Sequence, residues 1–160
     1  MTSIAGGKEL CHDSTICVSG AISGDLELAT EVIRDTPLHK QMSLTVAHYE
    51  TDRIVVMMEM SESTRGSEEG TVHGGILATF ADAASAFSLT GAFEPGKEIP
   101  VTTDLHVRYY RQPQPGPLTA EATVVHRGRR LLSTECVVSD AKQRVLARST
   151  ATYMIVPAGG

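Results

Sequence analysis

One long helix candidate, residues 73–89, stands between two strand candidates on its N-terminal side and four on its C-terminal side. That order leaves few architectures open. On a wheel at 100° per residue, Ile76, Leu77, Phe80, Ala84 and Phe87 share one arc, about 100° wide, the signature of a helix that packs one face on a core. Residues 43–49 and 53–60 read as strands joined by a hairpin turn around Glu50, Thr51 and Asp52, with Ile54, Val56, Met58 and Met60 on one face. Residues 101–110, 118–126, 130–140 and 145–155 read as four further strands, separated by QPQPGP at 112–117, HRG at 126–128 and DAKQ at 140–143. Sequential strands joined by short turns are expected to be antiparallel neighbours. The predicted class is α+β, an antiparallel sheet of about six strands with the long helix on its face.

The 160 residues fit one domain, large enough to bury a core without staples. Aromatic residues make up 4% of the chain and Trp is absent, so the core is expected to be aliphatic and small. Residues 1–24, rich in Gly, Ser and Thr, read as a flexible extension, and the domain as 25–157. Asp25 is placed to cap a helix through Leu26, Leu28, Ala29, Val32 and Ile33 that ends before Pro37.

A net charge of −5 argues against nucleic acid as a partner, because phosphate binding needs a basic surface. The odd set Cys11, Cys17 and Cys136 suggests reduced thiols and a cytoplasmic protein. No apolar stretch is long enough to span a membrane, and no secretory signal is legible. His and Cys show no metal-ligand spacing, so no metal is expected. G-x-S-x-G, Walker and G-x-G-x-x-G motifs are missing too, which sets aside serine-triad, nucleotide and dinucleotide chemistry.

The long helix carries the candidate chemistry. Asp82 falls on the wheel opposite the apolar arc, beside Ala78, Thr79, Ala86 and Leu89, with Ser85 at the margin. A solvated face ordinarily carries several long charged side chains; this one carries a single carboxylate among small residues. GTVHGG at 70–75 puts two glycines at the first turn. There the free N–H groups of Gly74 and Gly75 can face a developing oxyanion. Gly74 and Asp82 are eight residues apart, about 12 Å along the axis, too far to meet at one carbonyl. If the two act together, Asp82 must come from a second subunit, which predicts a symmetric dimer with sites at the interface.

The segment GTVHGGILATFADAASAF, residues 70–87, closely resembles the signature of the hotdog-fold thioesterases. The nearest groups are the phenylacetate-pathway (PaaI-type) and Arthrobacter-type 4-hydroxybenzoyl-CoA thioesterases. VTTDLHVRYYRQP, the GRR turn and ARSTATYMIV extend the resemblance over roughly residues 40–156. It implies a hotdog fold, a sheet wrapped around a long central helix, and hydrolysis of acyl-CoA by a homodimer that commonly pairs into a homotetramer. CoA belongs to the substrate, and no separate cofactor is implied.

By resemblance, Asp82 is the nucleophile or general base, the Gly74 N–H forms the oxyanion hole, His73 holds the loop or thioester, and Thr102 orients the hydrolytic water. The family carries Asn or Gln six residues before the His; this chain has Ser67, a shorter hydroxyl. That departure supports the alternative of an acyl-CoA binding or sensing protein without catalysis. Arg127, Arg129 and Arg130 around Gly128 suit the phosphates of CoA, and similar proteins place this turn near the nucleotide end.

Overall fold

The computed structural model describes residues 26–159, so the expected N-terminal extension, Asp25, Cys11 and Cys17 lie outside the described residues. The element order is α1 (Leu26–Arg34), α2 (Pro37–Gln41), β1 (Thr45–Glu50), β2 (Arg53–Met58), α3 (Gly74–Ser88), a 3₁₀ turn (Thr90–Ala92), β3 (Glu98–Tyr109), β4 (Leu118–Arg127), β5 (Leu131–Ser139) and β6 (Val145–Pro157). The strands form one six-stranded sheet in the order β1-β2-β4-β5-β6-β3, antiparallel throughout.

The first helix ends before Pro37, as expected, and Pro37 begins a short second helix, α2, where its missing N–H costs nothing and its fixed φ suits a first turn. One expectation about connectivity is corrected. Strand β3 is not beside β4. It crosses to the far edge and pairs with β6, while β4 fits between β2 and β5. The QPQPGP segment, which separates the two strands as expected, lies in the crossover. Strand β3 also starts earlier than expected, at Glu98, and carries Pro100 within it. A proline is tolerated there because β3 is an edge strand.

The helix α3 packs against β2, β3, β4, β5 and β6. Leu77, Phe80, Ala81 and Ala84 of the helix join Ile54, Val56 and Met58 of β2 and Leu118, Ala120 and Ala122 of β4 in the main core. A second, smaller cluster holds Leu89, Leu132, Ala151, Tyr153 and Ile155. The wheel placed Leu77, Phe80 and Ala84 correctly on the core face, but Ile76 and Phe87 are only half-buried, whereas Ala83, Ser85 and Ser88 are buried. A flat sheet would contact one arc of the helix. This sheet contacts α3 with five strands, so it covers the flanks as well.

The ends of α3 are satisfied locally. At its start, His73 is the N-cap, and its ring Nδ1 accepts the Gly75 N–H at 3.0 Å, a cap worth about 1 kcal/mol. At its end, the hydroxyls of Ser88 and Thr90 donate to the Ser85 and Phe87 carbonyls, each at 2.7 Å, taking up acceptors that the helix leaves open.

Candidate active site

Asp82 is the only charged residue on α3. It is half-buried, and the expectation that it lies away from the sheet is corrected: it faces the end of the sheet formed by β6 and β3. The Tyr153 hydroxyl donates to Asp82 Oδ1 at 2.8 Å and lies 3.2 Å from the Asp82 carbonyl oxygen. The Thr102 hydroxyl donates to the same Oδ1 at 3.2 Å. Both bonds converge on one carboxylate oxygen; Oδ2 has no partner among the described residues. Thr102 and Tyr153 are register partners across β3 and β6, so a cross-strand pair holds the acid.

Tyr153 is fully buried. Burial first, and then the Asp82 charge, push its phenol well above the ordinary tyrosine value, so it meets the carboxylate as a proton donor. The resemblance named Thr102, but it did not name Tyr153. A signal was present in the sequence. The inward positions 147, 149, 151 and 153 of β6 read Ala, Ser, Ala, Tyr, and a lone buried phenol in a run of small residues needs a polar partner.

The start of α3 is built by three separate segments. The His73 N–H donates to the Thr64 carbonyl at 3.1 Å, and the Val72 N–H donates to the Gln112 side chain at 3.1 Å. The Tyr109 hydroxyl donates to the Gly74 carbonyl at 3.0 Å. Neither Gln112 nor Tyr109 was singled out in the sequence. Gly74 and Gly75 were expected to offer two open N–H groups. The Gly75 N–H is taken by His73, which leaves the Gly74 N–H without a partner among the described residues. His73 accordingly sits where it can order the loop.

Ser67 is exposed. It lies in the tip of a short loop closed by the bridge between Arg65 and Val72 and by the Gly66 N–H bond to the Thr71 carbonyl at 3.0 Å. Among the described residues no hydrogen bond joins it to Asp82. The arginine turn divides into unlike parts. Arg127 forms an ion pair with Asp52 and donates to the Gly91 carbonyl at 3.2 Å, so it ties the β1–β2 turn to the end of β4. The side chains of Arg129 and Arg130 are exposed and make no ion pair among the described residues. Gly128 is required by space: a Cβ there would lie 2.7 Å from the Leu131 carbonyl oxygen, the acceptor of its own N–H at 2.9 Å.

The model of the thioesterase superfamily matches residues 69–147, a span that contains Asp82, His73, Gly74 and the arginine turn. A thioesterase-superfamily protein of known X-ray structure is 32% identical, with a TM-score of 0.73 over 82% of this chain and 98% of that one. The chain belongs to the thioesterase superfamily. Its α+β sheet with a helix packed against it is the hotdog fold of these neighbours. The 1,4-dihydroxy-2-naphthoyl-CoA hydrolase of Listeria monocytogenes is 24% identical over 118 residues, 74% of this chain and 94% of that protein. The PaaI protein of the E. coli phenylacetic acid degradation operon shares the fold, with a TM-score of 0.70 and 19% identity over 81% of this chain and 91% of that one. Family membership supports thioester hydrolysis as the general chemistry of the protein. Among the described residues, no helix is long and apolar enough to cross a membrane.

Proposed function

We propose that this chain hydrolyses an acyl-CoA thioester to the free acid and CoA, with Asp82 as the reacting carboxylate and the Gly74 N–H as the oxyanion donor. The observation that carries the reading is the anchored acid: a half-buried carboxylate held through Oδ1 by two hydroxyls, with Oδ2 unpartnered. Either Oδ2 adds to the thioester carbonyl, CoA leaves as the thiolate and water cleaves the resulting anhydride, or Oδ2 takes a proton from water as that water adds. In both routes negative charge develops on the former carbonyl oxygen, where an unpartnered N–H at a helix N-terminus stabilises it.

Gly74 and Asp82 of one chain are about 12 Å apart along the axis of α3. The site therefore combines Gly74 of one subunit with Asp82 of another. The edge strand β3 supports this assembly. It is 12 residues long and, among the described residues, bonded on one side only, and Ile99, Val101 and Tyr109 on it are between 41% and 50% exposed. Long apolar edges are seldom left open. Arg129 and Arg130, the arginines of the turn without ion pairs, are assigned to the CoA phosphates.

The test is thiol release from a panel of aryl, short-chain and long-chain acyl-CoAs. Asp82→Asn should lower turnover by at least about 10²–10³-fold, the scale on which such electrostatic groups act, with folding and oligomeric state unchanged. Full turnover in that variant would refute the role of Asp82. Exposed Ser67, in place of the family's amide, favours a second reading, acyl-CoA binding without hydrolysis. Tight binding of the whole panel with no thiol release would select it.

A further inference from the structure

Tyr153 has no route to solvent or substrate: it is 0% exposed and packed with Leu89, Leu132, Ala151 and Ile155. Its hydroxyl nevertheless ends on Asp82, lying 2.8 Å from Oδ1 and 3.2 Å from the carbonyl oxygen of that residue, with the Ser85 and Thr102 hydroxyls beside it. No Lys, Arg or His forms an ion pair with Asp82 among the described residues. On the strands packed against α3, Asp104, Arg108, Glu121, Glu135 and Arg148 are exposed, and Arg53 and Glu98 are half-buried with their ion pair or hydrogen bond made elsewhere. Hydrogen bonding is therefore the interaction that governs this carboxylate.

An aspartate with one bonded oxygen cannot turn about its terminal torsion, which would otherwise exchange the two oxygens. We propose that Tyr153 is a positioning residue: its buried hydroxyl, with Thr102, fixes Oδ1 of Asp82 and so makes Oδ2 the oxygen that meets the substrate. This inference rests on the reading of Asp82 as the reacting carboxylate. One consequence separates it from a role in packing alone. The hydroxyl fixes direction rather than affinity, so its removal lowers kcat more than it changes KM.

The experiment uses the full chain carrying Tyr153→Phe, which keeps the ring and deletes one oxygen. Circular dichroism and the melting curve should show a folded protein. On the acyl-CoA that the wild type turns over fastest in the panel, kcat should fall about 10–100-fold, while KM should stay within about threefold. A folded Y153F with an unchanged kcat overturns the proposal, and so does one whose loss lies in KM. A variant that does not fold overturns it too, since the hydroxyl would then be structural. The reading of Asp82 fails by a different result: full turnover in Asp82→Asn would discard it, whatever Y153F shows.

Discussion

Cys136 shows how burial decides chemistry at the scale of one residue. It is 1% exposed, and desolvation pushes its thiol up to about 12. Thiolate is the reactive form, so this cysteine should be inert in the native protein. In a Cys11→Ser, Cys17→Ser double variant, Ellman's reagent at pH 8 should find no reactive thiol until denaturant is added. Rapid labelling under native conditions would contradict the packing of β5 on α3. Asp82 and Tyr153 form the opposite case. There a buried hydroxyl holds one oxygen of a half-exposed acid. Ser67, where the resemblance implies an amide, is exposed and has no hydrogen-bond partner among the described residues.

At the scale of elements, the loop between β5 and β6 holds the most heavily bonded acid among the described residues. Asp140 is fully buried. It accepts from the Arg144 guanidinium at 2.6 and 2.8 Å and from the backbone N–H groups of Lys142, Arg144 and Gln114. The Arg144 side chain is the largest cause that lowers its carboxyl from the ordinary 3.8 to about 2. A depressed folded value means that the contribution to stability is complete above pH 4 or so and is lost as pH falls toward 2. Acid unfolding curves should therefore show the wild type losing stability between these limits, and Asp140→Asn losing less over the same interval from a lower starting point. Parallel curves would show that the acid is not coupled to folding. The bond to the Gln114 N–H also ties the β3–β4 crossover to this loop, so the melting point of the variant should report on that crossover.

For the whole molecule, the open question is what lies against β3. The proposal of a shared site links assembly to activity, so the two should fail together. Ile99 and Val101 are exposed on the edge strand, at 45% and 41%. A carboxylate at either position would repel its counterpart across an isologous interface. Ile99→Glu or Val101→Glu should shift the protein to monomers in sedimentation velocity. Turnover should fall by about 10²–10³-fold, the scale of losing the oxyanion donor, while each folded monomer keeps its far-ultraviolet spectrum. A monomer with full activity would place Asp82 and its oxyanion donor within one chain and discard the shared site.

The sequence alone determined the first helix, the long helix and the six strands, and it singled out Asp82 as the candidate acid. Period 3.6 over residues 73–89, alternation over 53–60 and the breakers between the other strand segments are local properties, so these elements could be read with their ends within a few residues. The spacing of His73, Gly74 and Asp82 is also local to one helix. Three things depended on tertiary contact. The place of β3 at the far edge follows from a crossover, which no turn residue announces. The half-buried setting of Asp82 follows from a sheet that covers the flanks of α3, whereas a wheel assumes one flat contact. Tyr153 stands 71 residues beyond Asp82, and their bond exists only because β6 passes beneath the helix. The carboxylate could be found by pattern, but its anchor could be found only by folding the chain.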